Sequence, residues 1–177
     1  MPLYKSIDVN SQTNVKIWQI SEPLDFLISC VELDDIAQKR LSKMKSSTHK
    51  RGFLSVRMLL KVFGYKYCDL YYDHFGKPLL KDGRFISITH SHNYAAVVVS
   101  DQKVGIDIEK QSPKISKIAS KFIGYESNYM DNEASNYIKK LTLIWCIKES
   151  LYKLYSKSGI SFKRHFLVIP FGEEENS

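Results

Sequence analysis

Cysteine is scarce in this chain. Cys30, Cys68 and Cys146 are an odd number, widely separated, with no Cys-x-x-Cys pair. That excludes a disulfide framework and a thiolate zinc site as organising devices, and the three read as free thiols in a reducing compartment. Long apolar runs are missing too: nothing approaches the roughly 20 residues a membrane span needs. The start, Met1-Pro2-Leu3-Tyr4-Lys5-Ser6-Ile7-Asp8, has no apolar signal region, so a cytoplasmic location without a membrane partner is expected. No repeat of roughly 20 to 50 residues and no low-complexity segment is present, which excludes solenoids and propellers.

Acidic residues are the other shortage. Asp and Glu number 19 against 26 Lys and Arg, giving a net charge of +7 and a pI near 9.2. This balance calls for an anionic partner without naming it. Nucleic acid is not expected, because aromatics interleaved with basic residues are confined to Tyr65-Lys66-Tyr67 and Tyr71-Tyr72. His90 and His92 stand two apart but lack a third soft ligand nearby, so zinc is not expected there. His49, His74 and His165 read as surface residues. At 177 residues the chain is long enough to bury roughly 70% of its extended surface without staples.

What is present is periodic. Residues 15–20 alternate as a strand, and helical spacing covers about Leu24 to Leu41 and Ser47 to Phe63. In the second helix Phe53, Leu54, Val56, Leu59, Leu60 and Phe63 form the buried side, and Lys50, Arg57 and Lys61 share another, as a groove lining or a solvated face. Tyr65–Tyr72 reads as a short strand, and Asp73-His74-Phe75-Gly76-Lys77-Pro78 as a turn. Phe85–Ile88 and Tyr94–Val99 read as strands, and Ser100–Lys103 as a connection into the next. Beyond Pro113, helical spacing runs from Ile115 to Phe122 and from Glu133 to Tyr155, and Ser161–Phe171 returns to strand-like alternation.

Two stretches carry the chemistry. In Val104-Gly105-Ile106-Asp107-Ile108-Glu109, branched residues alternate with the others, so a strand would send Asp107 and Glu109 out on one face and Ile106 and Ile108 into the core. In the helix containing Trp145-Cys146-Ile147-Lys148-Glu149-Ser150-Leu151-Tyr152-Lys153, residues Trp145, Glu149 and Lys153 form one stripe. Three carboxylates, Asp107, Glu109 and Glu149, with Lys153 one turn on, suit a hard cation and a phosphate. Trp145 reads as core packing and Glu126 as a surface residue.

Four segments in order resemble the 4′-phosphopantetheinyl transferases: Phe75-Gly76-Lys77-Pro78, Ile88-Thr89-His90-Ser91, Gly105–Glu109, and Trp145-x-x-Lys148-Glu149-Ser150-x-x-Lys153. Arg51 and Phe53–Arg57 match the family's basic first-half helix, so the likeness runs from about Arg40 to Phe171. The narrower likeness is to the monomeric, two-half type that activates surfactin-synthetase-like enzymes. It implies an α+β fold of two similar halves, residues 1–100 and 101–177, forming a pseudo-dimer with the active site in the cleft between them. The implied reaction moves the 4′-phosphopantetheine arm of coenzyme A onto a serine of an acidic apo acyl or peptidyl carrier protein, releasing adenosine 3′,5′-bisphosphate. Mg²⁺ or Mn²⁺ would be held by Asp107, Glu109 and Glu149, with Glu149 or Glu109 as general base. Lys153 would offset leaving-group charge, and Arg51, Lys77, His90 and Ser91 would hold phosphates, with Lys43 and Lys45 as helpers.

The chain departs from the family in two places. Thr89 stands where Ser commonly precedes the motif His, and after Phe171 only the acidic tail Gly-Glu-Glu-Glu-Asn-Ser remains, where a closing hairpin is usual. A monomer with a short edge, or a dimer covering a short C-terminal sheet, is expected. The alternative activity is a catalytically impaired protein that binds coenzyme A or a carrier.

Overall fold

Tyr94–Ser100 contains no charged residue and is buried along almost its whole length, which fits a strand with neighbours on both sides. This strand, β6, pairs antiparallel with β2 (Thr13–Gln19) on one side and β5 (Phe85–Ser91) on the other. A further strand, β1 (Leu3–Asn10), extends the sheet beyond β2, giving the order β1-β2-β6-β5. The computed structural model describes residues 3–157 and 159–172 and has the α+β composition expected. Two compact units are resolved, Met1–Glu109 and Lys110–Ser177.

In the first unit, α3 (Ser47–Val62) lies across β2, β6 and β5. Ser46 caps it by accepting the His49 amide at 3.4 Å. Its buried side holds Phe53, Leu54, Val56, Leu59 and Leu60 as expected, while Phe63 is only half-buried. These pack with Trp18, Ile86, Ala95, Val97 and Val99 of the sheet. Each such aliphatic side chain contributes about 1.5–3 kcal/mol on leaving water. β5 and β6 join through His92-Asn93, with His92 in the left-handed region at φ 52°, as tight antiparallel hairpins require.

The helix expected over Leu24–Leu41 is two helices, α1 (Leu24–Cys30) and α2 (Asp35–Lys43). Val31 is extended, and the Asp34 carboxylate accepts the Ala37 amide at 2.7 Å, starting a new helix there. The Tyr65–Tyr72 strand shrinks to β3 (Leu70–Tyr72), paired with β4 (Pro78–Leu80), because Tyr67–Asp69 winds into a 3-10 turn closed by Asp69 Oδ2 on the Lys66 amide.

The second unit has no strand among its described residues, so the sheet that a partner subunit was expected to cover is not there to be covered, and the likeness of the two halves is not visible in their elements. Its main helix is α5 (Tyr137–Tyr155), preceded by the 3-10 turn Pro113–Ile118 and by α4 (Ala119–Phe122). Phe122, Leu141, Ile144 and Val168 form its core. The strand expected over Ser161–Phe171 is instead a short helix, α6 (Phe162–His165), and an irregular segment. The Ser161 amide donates to His165 Nδ1 at 2.9 Å, and Val168 donates inward to Glu126, so local partners take the donors a ladder would need. Of the acidic tail, residues 173–177 lie outside the described residues. No described helix is long and apolar enough to cross a membrane.

Candidate active site

Strand β5 sorts the candidate residues by parity. Ile86 and Ile88 face the core under α3, and His90 continues that face. Ser87, Thr89 and Ser91 therefore leave on the opposite face. There they meet residues 106–109: the Ile106 amide donates to Ser87 Oγ at 3.1 Å, and the Ile108 amide to Thr89 Oγ1 at 3.2 Å. Thr89 Oγ1 donates to Asp107 Oδ1 at 3.0 Å, and Ser91 Oγ to Glu109 Oε2 at 2.7 Å. The partner numbers rise together, so this segment runs in the same direction as β5.

The expected strand over 104–109 is accordingly corrected. The segment belongs to no sheet ladder, because the hydroxyls of β5 take part of the bonding that main-chain partners would otherwise supply. Their shared side is as the spacing predicts: Asp107 and Glu109 both turn toward the hydroxyl row, as residues two apart should. Two oxygen-only carboxylates oriented by neutral donors are a donor set that fits a hard divalent cation. Among the described residues no group of three or more His, Cys, Asp or Glu side chains is gathered that could hold a metal ion. Asp107 and Glu109 belong to the first unit, and Glu149 and Lys153 to the second.

The remaining first-unit candidates are fixed by separate devices. Arg51 donates from Nη2 to the Ile20 carbonyl at 2.7 Å, and its Nε is buried without a hydrogen-bond partner. Lys77 sits in a turn in which Asp73 Oδ1 accepts the Phe75 and Lys77 amides, both at 2.9 Å, with Gly76 at φ 82°. His90 lies against α3, its ring 6.3 Å from that of His49. Of the basic side of α3, Arg57 packs over the Phe53 ring at 3.6 Å and donates to the Phe53 carbonyl. Burial lowers its pKa, with Tyr72 opposing. A cavity of about 230 Å³ lined by Arg57, Lys61, Cys30 and Tyr65 includes none of the predicted site residues.

In the second unit, Trp145, Glu149 and Lys153 are all half-buried on α5, in keeping with one stripe. Trp145 packs edge-on to Phe122 at 5.1 Å and against Phe162 at 5.5 Å, so its core reading holds. Glu126, read as a surface residue, is instead fully buried and paired with Lys148 at 2.7 Å, both side chains 0% exposed. Lys148 Nζ also donates to the carbonyls of Phe122 at 2.7 Å and Phe162 at 3.1 Å. Glu126 accepts the Val168 amide at 2.9 Å and the Gly124 amide at 3.1 Å. Burial pushes the Glu126 carboxyl up, but Lys148 and these amides outweigh it and hold the pKa below the ordinary 4.5. Tyr129 donates to the Val168 carbonyl at 2.6 Å beside this pair, and burial followed by the Glu126 charge raises its pKa to about 12.

Glu126 and Lys148 thus bind α5 to both flanking segments directly before Glu149. Gly124 belongs to the same join: a Cβ there would stand 2.6 Å from the Lys163 carbonyl oxygen. The sequence signal for the hydroxyl row was available, since Ser87, Thr89 and Ser91 alternate through β5. For the ion pair there was none, because nothing in either neighbourhood identifies the partner.

Residues 103–176 match the family described as the 4′-phosphopantetheinyl transferase superfamily. Over 83 residues the chain is 36% identical to an enterobactin synthase component D of Salmonella typhi, covering 45% of this chain and 36% of that protein. Over 88 residues it is 33% identical to the 4′-phosphopantetheinyl transferase gsp of Aneurinibacillus migulanus, covering 48% and 37%. The enterobactin synthase component D of Salmonella typhimurium is likewise 36% identical over 83 residues, covering 45% and 36%. The chain thus spans little more than a third of the length of the curated relatives it matches.

Proposed function

We propose, from the match of residues 103–176 to the 4′-phosphopantetheinyl transferase superfamily, that the whole chain transfers the 4′-phosphopantetheine arm of coenzyme A to a carrier-protein serine. The observation that carries this reading is that the matched segment contains Asp107, Glu109, Glu149 and Lys153 together. The paired orientation of Asp107 and Glu109 along the hydroxyl row supports it.

In the proposed reaction the serine Oγ forms a bond to the phosphorus that carries the pantetheine arm. The bridging P–O bond of the pyrophosphate breaks, and adenosine 3′,5′-bisphosphate leaves with the electron pair. Glu149 or Glu109 accepts the serine proton. Lys153, one helical turn beyond Glu149, offsets charge on the departing phosphate. Arg51, Lys77 and His90 hold the phosphates of the nucleotide, while Ser91 orients Glu109 from its present hydrogen bond. Asp107, Glu109 and Glu149 are the residues that would hold Mg²⁺ or Mn²⁺. Bound there, the cation would polarise the phosphoryl oxygens and offset their charge.

For this chemistry Asp107, Glu109, Glu149 and Lys153 must all reach one coenzyme, as the likeness to the monomeric two-half type implies. The carrier is an acidic apo acyl or peptidyl carrier, to which the +7 charge of this chain is complementary. The Salmonella relatives are named as components of an enterobactin synthase, so a carrier from such a synthase is the first to try. The test is to incubate the protein with coenzyme A, Mg²⁺ and apo carriers of peptide, polyketide and fatty-acid type, and to separate the nucleotide products. Adenosine 3′,5′-bisphosphate equal to the holo carrier formed is expected. Tight coenzyme binding with no product from any carrier would support the impaired binding protein instead.

A further inference from the structure

Gly52 stands in the interior of α3, among the buried residues Phe53, Leu54, Ser55 and Val56. A glycine there costs the helix about 1 kcal/mol relative to alanine. Backbone conformation is not the reason, since Gly52 is absent from the residues with positive φ and lies within regular helix. The reason on view is His90: a Cβ on Gly52 would stand 2.7 Å from its Nδ1, 2.8 Å from its Cγ and 3.2 Å from its Cε1. The first two separations are closer than non-bonded atoms approach, so any side chain at position 52 must move the imidazole.

The contacting atoms fix the orientation as well as the place. Nδ1 with its two ring neighbours rests on the helix backbone, so the Nε2 edge is turned away from α3. His90 is exposed although it continues the core-facing side of β5, and the ring of His49, one turn earlier on α3, stands 6.3 Å away. A strand residue near the end of β5 is thereby held against a helix by the space that glycine leaves.

We propose that Gly52 is a positioning residue: its missing side chain is the seat that aims the Nε2 edge of His90 at a phosphate of coenzyme A. The ligand part of this inference rests on the transferase reading, whereas the seat does not. With the seat filled, the ring swings out, and the coenzyme loses a directed charge-assisted hydrogen bond while α3 gains helix propensity.

The experiment uses Gly52→Ala, His90→Ala and the double variant of the full chain. Imidazole NMR signals, with the His90 signals assigned by their loss in His90→Ala, report the seat directly. Gly52→Ala is expected to shift the His90 ring signals and its titration midpoint, with the thermal midpoint held or raised. Unmoved ring signals in Gly52→Ala overturn the seat, whether or not the wild type transfers anything. In the transfer assay, Gly52→Ala is expected to raise KM for coenzyme A about tenfold, with kcat changed less, and to cost under about twofold when His90 is already Ala. An equal cost in both backgrounds overturns the positioning role. Should Gly52→Ala fail to fold, removal of the ring in the double variant is expected to restore folding, and failure to do so counts against the seat. A wild type that neither transfers nor binds coenzyme A removes the transferase reading and with it the phosphate, and leaves the ring signals to decide the seat.

Discussion

Replacing Lys148 by methionine should damage the second unit far more than the loss of one lysine suggests. The ammonium is 0% exposed and has three oxygen partners, Glu126 Oε1 and the Phe122 and Phe162 carbonyls. Removing it leaves a buried carboxylate facing only neutral donors. Breaking a buried pair in this one-sided way costs about 3–5 kcal/mol. A domain's whole stability is about 5–15 kcal/mol, so roughly a fifth or more is at stake. At roughly 4–8 °C per kcal/mol for a unit of this size, the thermal midpoint should fall by more than about 10 °C. Trp145, packed on Phe122 and Phe162 beside the pair, is the reporter, and Trp18→Phe removes the other tryptophan signal.

The double variant Glu126→Gln with Lys148→Met should recover part of the loss, because no unpaired charge remains. The pH arm has opposite signs in the two proteins. The wild-type Glu126 pKa lies below its unfolded value, so its contribution is complete above about 4.5 and fades as pH falls through the folded value. In Lys148→Met burial is opposed only by the amide hydrogen bonds, so that pKa should rise and acidification should relieve part of the defect. A Lys148→Met protein within about 1 kcal/mol of wild type, or a double variant worse than both singles, would refute the reasoning.

Other consequences follow from the same geometry. Leu59→Ala, at a position 0% exposed beneath the sheet, should cost about 2–5 kcal/mol in denaturant unfolding of the first unit. Arg84→Ala should cost under about 1 kcal/mol in the same assay, since its 2.7 Å pair with Asp101 is 37% and 50% exposed. Asp73→Ala removes the acceptor of two turn amides, so it should cost about 1–2 kcal/mol locally and raise KM for coenzyme A through Lys77, with kcat nearly unchanged.

Period and capping made α3, α5, β2, β5 and β6 legible, because each has one clearly apolar side long enough to reveal its repeat. The errors share a cause. At 24–41 a capping carboxylate, at 104–109 a row of hydroxyls, and at 161–171 a histidine ring and a buried glutamate take main-chain donors that the pattern assigns to a helix or ladder. β1 went unread because only Leu3 and Ile7 among its residues are even half-buried, leaving little apolar signal. In the candidate site, the shared side of Asp107 and Glu109 followed from their spacing. Glu126 and Lys148 did not, since two polar residues on separate elements look solvated until their packing is known. Gly52 lies within the helical pattern of α3, and its meaning needed the position of His90.

The central claim is best tested by intact-mass measurement of an apo carrier after incubation with coenzyme A and Mg²⁺, using wild type beside Asp107→Ala and Glu149→Ala. The account predicts a gain of one phosphopantetheine arm with wild type. It predicts a rate lower by about 10³-fold or more with each folded variant, in line with several kcal/mol lost at a metal-assisted transition state. An unmodified carrier in every wild-type reaction, or full modification by either variant at the wild-type rate, would contradict it.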